Sequence, residues 1–567
     1  MTIKELLARA ILKNPTGVAV RFKQNALWEE RTYEQLLHRI RLIAEVLHRL
    51  GIAPGDHVAL FFDNSVEWIE LYLAITGLGA SAVPMDPKLR EQEVAHILSN
   101  SETTCLLTTA RNYQLVREIE GNLPALKSVL ILNGNHITLP TDGSIRYEDM
   151  EKQMQQVGEM LPADVTAYDL ATPTDSDIAS IIYTSGTTGR PKGAMLTHLN
   201  FTSDVESSLA SFKDVSLEDN FLLVLPLHHA FAFTTCLLVP LAAASSISIV
   251  ESLKTISENI QETRPSVLIG VPLLLEKMYA KIQAGISAKR SARLMLKAGL
   301  GKVVGRKIIE RMGGRLRVVV SGGAPCDPDV IRGWERLGVV VREGYGLTEA
   351  APVVALNPPE KNKPGTVGKA LPGVELKIMN PNAEGIGEIA VQGKNIMAGY
   401  YKNDEATAEI IRDGWLHTGD LGQIDSEGYL TISGRIKSLI VNREGKNIYP
   451  EEVEAQILKS PFISEALILG YRDQGEKVGE KVGVIVVPDQ EIIAQQKPGL
   501  TDQELEKLIG GEVRAQCAHL TEYKRPRCIQ LRYEEFQKTS TQKIKRYLYA
   551  INTSHLSREE SRCTKLS

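Results

Sequence analysis

The stretch Y-T-S-G-T-T-G-R-P-K-G, residues 183–193, decides how this chain is read. Seven of its eleven positions are Ser, Thr or Gly, and Arg190 and Lys192 are cationic. The apolar run Ile178-Ala179-Ser180-Ile181-Ile182 stands directly before it with the texture of a strand, so the loop is expected to hang off a sheet edge. Glycines let backbone N–H groups converge on an anion with no Cβ in the way, hydroxyls donate further bonds, and Lys192 adds a point charge. A loop of this make-up wraps phosphate. A flexible polar turn is the ordinary reading of a Ser/Gly/Thr cluster, but Pro191 and the paired Thr187-Thr188 make this string too particular for a linker. A Walker A loop is excluded, because G-x-x-x-x-G-K-[ST] must run into a helix, whereas Pro191 separates Lys192 from the glycines and Gly193 follows it.

Bulk properties bound the rest. At 567 residues the chain is too long for one core, and 43% hydrophobic with 24% charged residues is ordinary for a globular protein. Sixty-five basic against 69 acidic residues give a net charge of −4 and no field to attract nucleic acid, so no nucleic-acid partner is expected. Cys105, Cys236, Cys326, Cys517, Cys528 and Cys563 show neither paired nor metal-ligand spacing, and reduced thiols in a cytoplasmic compartment are the simplest account. Met1-Thr2-Ile3-Lys4-Glu5 carries no apolar signal core. Residues 221–250 contain no Asp, Glu, Lys or Arg over a length that would span a bilayer, but Pro226, Pro240, His228 and His229 interrupt them. A buried helix flanked by strands is the expectation, with a peripheral membrane role left open.

Up to about Gly434 helical patterns alternate with short apolar runs, such as residues 57–62, 128–132 and 316–320. Such runs predict layered α/β structure with largely parallel sheets. After Leu371 shorter strands separated by Gly-rich turns predict a β-rich subdomain. The domains are therefore expected at 1–434, large and α/β, and at 435–567, small and α+β, with a helix at 450–459, a strand at 466–469 and an exposed hairpin turn at 475–482. The tail after Ile551 is polar and expected to fray.

Two further strings follow Val-rich strands: Ser321-Gly322-Gly323-Ala324-Pro325 and Arg342-Glu343-Gly344-Tyr345-Gly346-Leu347-Thr348-Glu349. A glycine pair lets a planar ring approach the backbone and an aromatic between glycines offers a stacking face, so together they would hold a purine. Taken singly, Tyr345 reads as a half-buried core tyrosine. In Trp415-Leu416-His417-Thr418-Gly419-Asp420 the carboxylate at a glycine-bounded turn can accept from both ribose hydroxyls, although an Asx turn would also account for it.

The phosphate string closely resembles that of the adenylate-forming superfamily, which includes acyl-CoA synthetases, peptide-synthetase adenylation domains and beetle luciferases. The resemblance implies nucleotide contacts for Thr184, Ser185, Gly186, Thr187, Thr188, Gly189 and Lys192, with Thr184 also at the reacting centre. It extends to the adenine motif, implying adenine stacking by Tyr345 beside Gly322, Gly323, Ala324 and Gly346, an α-phosphate contact by Thr348, and magnesium binding by Glu349. Glu343 stands where relatives often carry an amide, and its own role is open. The T-G-D string implies a ribose contact for Asp420. In Ser433-Gly434-Arg435-Ile436-Lys437 and the following Gly445-Lys446-Asn447-Ile448-Tyr449-Pro450-Glu451-Glu452-Val453-Glu454 the resemblance implies ribose contact by Arg435, a hinge at Lys437 and a pantetheine tunnel at Gly445. The glutamates of that helix read as a solvated face. Residues 537–544, Q-K-T-S-T-Q-K-I, match the family's P-K-T-x-T-G-K-I with Gln537 for proline and Gln542 for glycine, and place Lys543 as the catalytic lysine. His229 falls where relatives place an acyl-pocket histidine, and alone it would read as a core histidine.

These motifs run in order from Tyr183 to Lys543, and the chain most resembles long-chain fatty acid–CoA ligases. The resemblance implies an enzyme using ATP, Mg2+ and CoA to convert a fatty acid through an acyl-adenylate into acyl-CoA. Two alternatives are a ligase that hands its acyl group to an acyl carrier protein and a non-catalytic nucleotide- or acyl-binding protein. Residues 231–250 and 268–275 are expected to line a long acyl slot. The basic stretch 278–311 is expected either to be a solvated helix face or to rest on an anionic bilayer, which would make the protein peripheral at the inner face of a membrane.

Overall fold

The computed structural model describes residues 1–134, 138–140, 145–159, 165–184, 190–213, 215–472, 478–538, 544–551 and 564–565. Ser185, Gly186, Thr187, Thr188, Gly189 and Lys543 lie outside the described residues. The chain divides into two compact units, one of Met1–Leu376, Val391–His417 and Asp425–Leu430, the other of Lys377–Ala390, Thr418–Ile424 and Thr431–Ser567.

The first unit holds two large sheets. One has eight strands in the order Gly399–Tyr400, Lys192–Thr197, Ile178–Thr184, Ser81–Pro84, His57–Phe61, Cys105–Thr109, Ser128–Leu132 and Arg146–Asp149. From Ile178–Thr184 to Arg146–Asp149 neighbouring strands are parallel, and the interior ones carry the largely apolar sequences that burial on both faces requires, while the edge strand Arg146–Asp149 is mostly charged. Ile178–Thr184 is an interior strand and not an edge, because Lys192–Thr197 returns antiparallel beside it and Gly399–Tyr400 covers that strand in turn. The other sheet has nine strands, Lys369–Ala370, Val353–Leu356, Val340–Gly346, Val318–Ser321, Val267–Gly270, Asn220–Leu223, Ser246–Ile249, Val18–Gln24 and Leu27–Thr32.

The uncharged stretch 221–250 forms strand Asn220–Leu223, a helical run over 230–243 and strand Ser246–Ile249. The middle of that run, Phe233–Leu238, is a buried π-helix. Phe233 packs in an aromatic knot, with ring centroids 4.3 Å from Tyr72, 5.0 Å from Phe201 and 6.2 Å from Trp68. Burying one such ring is worth about 2–3 kcal/mol, which is why charge is absent here. Among the described residues no helix is long and apolar enough to cross a membrane.

In the second unit, helix Pro450–Ile457 packs on an antiparallel hairpin of Ile463–Tyr471 and Lys481–Pro488, with Cys528–Leu531 parallel to the latter strand. Val453, Ile457, Ile468, Val484, Ile509 and Val513 are among the residues of its core. Residues expected to fray supply one more strand, Thr564–Lys565, antiparallel to Cys528–Leu531. Cys105, Cys236, Cys326 and Cys517 are free and buried, but Cys528 is disulfide-bonded, contrary to the expectation of reduced thiols throughout.

Candidate active site

The two ends of the phosphate string lie on paired strands, Ile178–Thr184 and Lys192–Thr197. Thr184 pairs with Lys192 and Tyr183 with Gly193 in antiparallel register, and the Thr184 hydroxyl donates to the Lys192 carbonyl at 3.4 Å. A Cβ on Gly193 would come within 2.7 Å of the Ile181 side chain, so glycine is needed where the strands close. Tyr183 donates its hydroxyl to Asn100 at 2.6 Å, which anchors the start of the string.

The adenine string lies at the end of strand Val340–Gly346, and Thr348–Ala350 is a single 3-10 turn. Met397 N–H donates to the Glu349 carbonyl at 2.9 Å, and the Tyr400 hydroxyl donates to Glu349 Oε1 at 2.7 Å. The segment after Glu349 is tied down by side chains that the motif does not contain. Thr234 donates to the Ala351 carbonyl at 2.8 Å, and Asn395 donates to the Ala350 and Val353 carbonyls at 2.9 and 3.3 Å. Asp204, fully buried, accepts from Val353 N–H at 3.2 Å, and burial pushes its carboxyl well above the usual range.

Gly322 N–H donates to the Gly270 carbonyl at 3.2 Å, and a Cβ on Gly322 would meet the Phe231 ring at 2.8 Å. A Cβ on Gly323 would lie 3.9 Å from Val271. Phe231 and Val271 therefore flank the glycine pair. The rest of 231–250 is mainly core, and Phe231 is the part of that stretch beside the glycine pair. His229 is half-buried with its ring 4.1 Å from that of His228, a buried residue whose pKa is held well below the usual value by desolvation. Tyr345 is also half-buried.

Glu343, left open by sequence, has both oxygens engaged by backbone: Oε1 accepts from Cys326 N–H at 3.4 Å and Oε2 from Gly365 N–H at 3.0 Å. It thus clips the loop carrying Gly322 and Gly323 to the adenine strand. An amide offers only one accepting end and cannot repeat this pattern. Burial pushes the carboxyl up to about 7, outweighing the two N–H bonds that favour its charged form. Because the folded value exceeds the ordinary 4.5, the stability from this group is present below about 4.5 and is lost as pH rises through about 7. Glu343→Gln does not titrate, so between about pH 5 and about pH 8 the wild type is expected to lose on the order of 3 kcal/mol more stability than the variant. Urea unfolding of both proteins at the two pH values measures this, and equal pH slopes would rule it out.

In the second unit, Arg435 Nε lies 3.0 Å from Asp420 Oδ1, so the two expected ribose residues are brought together as a buried carboxylate and a half-exposed guanidinium. Asp420 N–H donates to the Thr418 hydroxyl at 3.1 Å, and Gly419 takes a left-handed φ of 70°. Lys437 lies in the 3-10 turn Ile436–Ser438 that leaves strand Leu430–Arg435. Gly445 sits at φ 74° in the turn joining Ile440–Val441 to Asn447–Ile448, and no atom lies within 4 Å of a Cβ built there.

The helix glutamates are not a solvated face. Glu454 accepts from Ile468 N–H at 2.7 Å and from Arg546 at 2.5 Å, and Glu452 pairs with Lys524 at 2.8 Å. Glu451 lies 3.7 Å from Arg546. Around the lysine motif, Lys538 and Ile544 form an antiparallel bridge, Lys538 pairs with Glu465, and Lys545 N–H donates to the Gln537 carbonyl at 2.9 Å. Gln537 N–H donates to the Tyr549 hydroxyl at 2.6 Å, a bond that proline in its place could not make.

Glu349 is the one expected metal ligand, and among the described residues no three His, Cys, Asp or Glu side chains cluster as a metal site. A single carboxylate with one oxygen held by a phenol fits Mg2+, which takes one or two carboxylates and completes its shell from substrate phosphates and water.

Residues 7–401 match the family described as AMP-binding enzyme, and the chain belongs to that family. It is 32% identical over 476 residues to Long-chain-fatty-acid–CoA ligase FadD15 of Mycobacterium bovis, covering 79% of this chain and 76% of the relative. It is 27% identical over 558 residues to the chloroplastic Long-chain-fatty-acid–acyl-carrier-protein ligase AEE15 of Arabidopsis thaliana, covering 85% and 76%. The crystal structure of ATP-bound MatB from Rhodopseudomonas palustris superposes with a TM-score of 0.76 at 26% identity, covering 97% of this chain and 98% of that one.

Proposed function

We propose that this protein activates a medium-to-long fatty acid with ATP and passes the acyl group to CoA. The carboxylate attacks the α-phosphorus of ATP and pyrophosphate leaves; the CoA thiol then displaces AMP from the acyl-adenylate. The observation that carries this reading is the meeting of Lys192, from the phosphate string, and Glu349, from the adenine string, on the side chain of Tyr400. Lys192, Thr184 and Ser185 to Gly189 would hold the phosphates, and Thr348 the α-phosphate. Glu349 would hold Mg2+, which would supply charge neutralisation at the ATP phosphates as the adenylyl group is transferred. Tyr345, Gly322, Gly323, Ala324 and Gly346 would take adenine, and Asp420 and Arg435 the ribose. His229, Phe231 and Val271 would border the acyl group. The small domain, 435–567, would turn about Lys437 to offer first Lys543 and then Gly445 to the reacting centre.

The substrate class is supported by FadD15 and by the apolar walls beside Gly322. Each buried methylene is worth about 0.8 kcal/mol, so eight of them favour a long acid by roughly 6 kcal/mol before ordering costs. Helices Pro272–Ser287, Arg290–Lys297 and Gly301–Arg311, with the short link between the first two, carry Lys281, Lys289, Arg290, Arg293, Lys297, Lys302, Arg306 and Lys307 around exposed Leu294, Leu300 and Val303. That mixture of cations and apolar side chains suits peripheral contact with an anionic bilayer from the cytoplasm. A panel of acids from acetate to palmitate plus benzoates, read as pyrophosphate and acyl-CoA formed, is expected to favour the longer acids. Preference for four carbons or fewer, or for aromatic acids, would overturn the substrate and leave the adenylation chemistry in place. The relative AEE15 favours one second reading, transfer to an acyl carrier protein. CoA as sole thiol supports the first reading if acyl-CoA accumulates, and the second if turnover requires the carrier.

A further inference from the structure

We propose that Tyr400 is a positioning residue that holds the Glu349 carboxylate with its hydroxyl and the Lys192 ammonium with its ring face, setting the spacing at which the metal and the phosphates are met. This rests on the nucleotide roles proposed above for Glu349 and Lys192. The Tyr400 hydroxyl donates to Glu349 Oε1 at 2.7 Å, and Lys192 Nζ stands 5.2 Å from the centroid of the same ring. No ion pair joins Lys192 to Glu349 among the described residues. That matters because a direct pair would neutralise both charges that the nucleotide needs.

The two modes of holding leave each group available. A cation over a ring is attracted without spending any of the three ammonium N–H donors, which remain for phosphate oxygens. A phenol that binds one carboxylate oxygen orients the group and leaves the other oxygen to a metal ion, as outer hydrogen-bond partners do at metal sites. The backbone that carries the ring is fixed at three points. Tyr400 pairs with Ala194 two residues beyond Lys192, its N–H donates to the Thr407 hydroxyl at 2.9 Å, and the next residue's N–H donates to the Gly193 carbonyl at 2.8 Å. Met397 N–H holds the Glu349 carbonyl at 2.9 Å, so the segment leading to Tyr400 grips the backbone of the same glutamate. No motif from the sequence contains Tyr400; it lies 51 positions from Glu349 and 208 from Lys192, as their numbering shows.

Two substitutions in the full chain separate the two contacts. Tyr400→Phe keeps the ring and removes the hydroxyl, whereas Tyr400→Leu removes both, and Glu349→Gln serves as reference. The readouts are the Mg2+ concentration giving half-maximal ATP–pyrophosphate exchange, ATP affinity by calorimetry with Mg2+ and with EDTA, KM for the fatty acid, and the unfolding temperature. Tyr400→Phe is expected to raise the Mg2+ requirement about tenfold or more, with metal-free ATP affinity, fatty acid KM and unfolding temperature near wild type. Tyr400→Leu is expected to show the same Mg2+ shift and, in addition, about a threefold or greater loss of metal-free ATP affinity. A wild-type Mg2+ requirement in Tyr400→Phe, while Glu349→Gln raises it, would overturn the role of Tyr400 alone. An unchanged Mg2+ requirement in Glu349→Gln would overturn the metal role of Glu349 and this inference with it. Proportional losses in every constant together with a lowered unfolding temperature would assign Tyr400 a purely structural part and overturn the proposal too.

Discussion

Lys543→Ala is expected to abolish acyl-adenylate formation, by at least about a hundredfold, while thioester formation from supplied acyl-adenylate is largely spared. The reason is timing. Negative charge gathers on the α-phosphate and the attacking carboxylate only as the phosphorus becomes pentacoordinate, so a cation there stabilises the transition state of the first step alone. The residues on either side of Lys543 are held firmly: Lys538 bridges Ile544, Gln537 is bonded through both its N–H and its carbonyl, and Arg546 is held by Glu454 and the Ile468 carbonyl at 3.0 Å. Removing the lysine side chain leaves that frame in place, so the variant should fold. Single-turnover assays of each half-reaction measure the effect, and equal loss in both would refute the assignment.

Gly445→Leu is expected to keep ATP–pyrophosphate exchange within a few-fold of wild type and to lose CoA ligation by about a hundredfold or more, as a side chain obstructing a narrow thiol path should. No neighbouring atom lies within 4 Å of the new Cβ, so the leucine has room to project. Its cost to folding is the left-handed backbone at φ 74°, about 1–2 kcal/mol, which a short turn outside the core can bear. Gly445→Ala separates the two effects, since it carries the same backbone strain with little bulk and should ligate far better than the leucine variant. Normal ligation by Gly445→Leu would place the thiol path elsewhere.

Most of the architecture was legible in the sequence because parallel strands buried on both faces leave unbroken apolar runs. Ser128–Leu132 is read off directly, and the uncharged stretch 221–250 resolves into a strand, a helical run and a strand because two prolines and two histidines rule out a span. The position of Ile178–Thr184 inside its sheet was not legible, because Lys192–Thr197, the strand that pairs beside it, begins within the phosphate string and is polar at both ends. The solvated-face reading of Glu451, Glu452 and Glu454 failed for a related reason. A helix pattern shows which residues are charged, but not that Arg546 and Lys524 arrive from about 70 to 95 positions away to pair with them. Long-range polar partners leave no local signal.

The same limit applies at the site. Motif residues are local strings and announce themselves, whereas the groups that hold them are scattered. Asp204, Thr234 and Asn395 secure the chain after Glu349, yet as single polar residues in helices or loops they carry no mark of that task. Glu343 was visible as a departure from the amide common in relatives, and its two backbone bonds explain why a carboxyl serves here. Gln537 likewise replaces proline at a position where its N–H is used.

The most direct test of the central claim is a two-stage single turnover on the full chain with radiolabelled palmitate and ATP. Without CoA, pyrophosphate and enzyme-bound palmitoyl-adenylate should form in equal amounts up to one per active site. Addition of CoA should then convert the adenylate to palmitoyl-CoA with release of AMP. Failure to release pyrophosphate in the presence of the acid, or release of ADP in place of AMP, would contradict it.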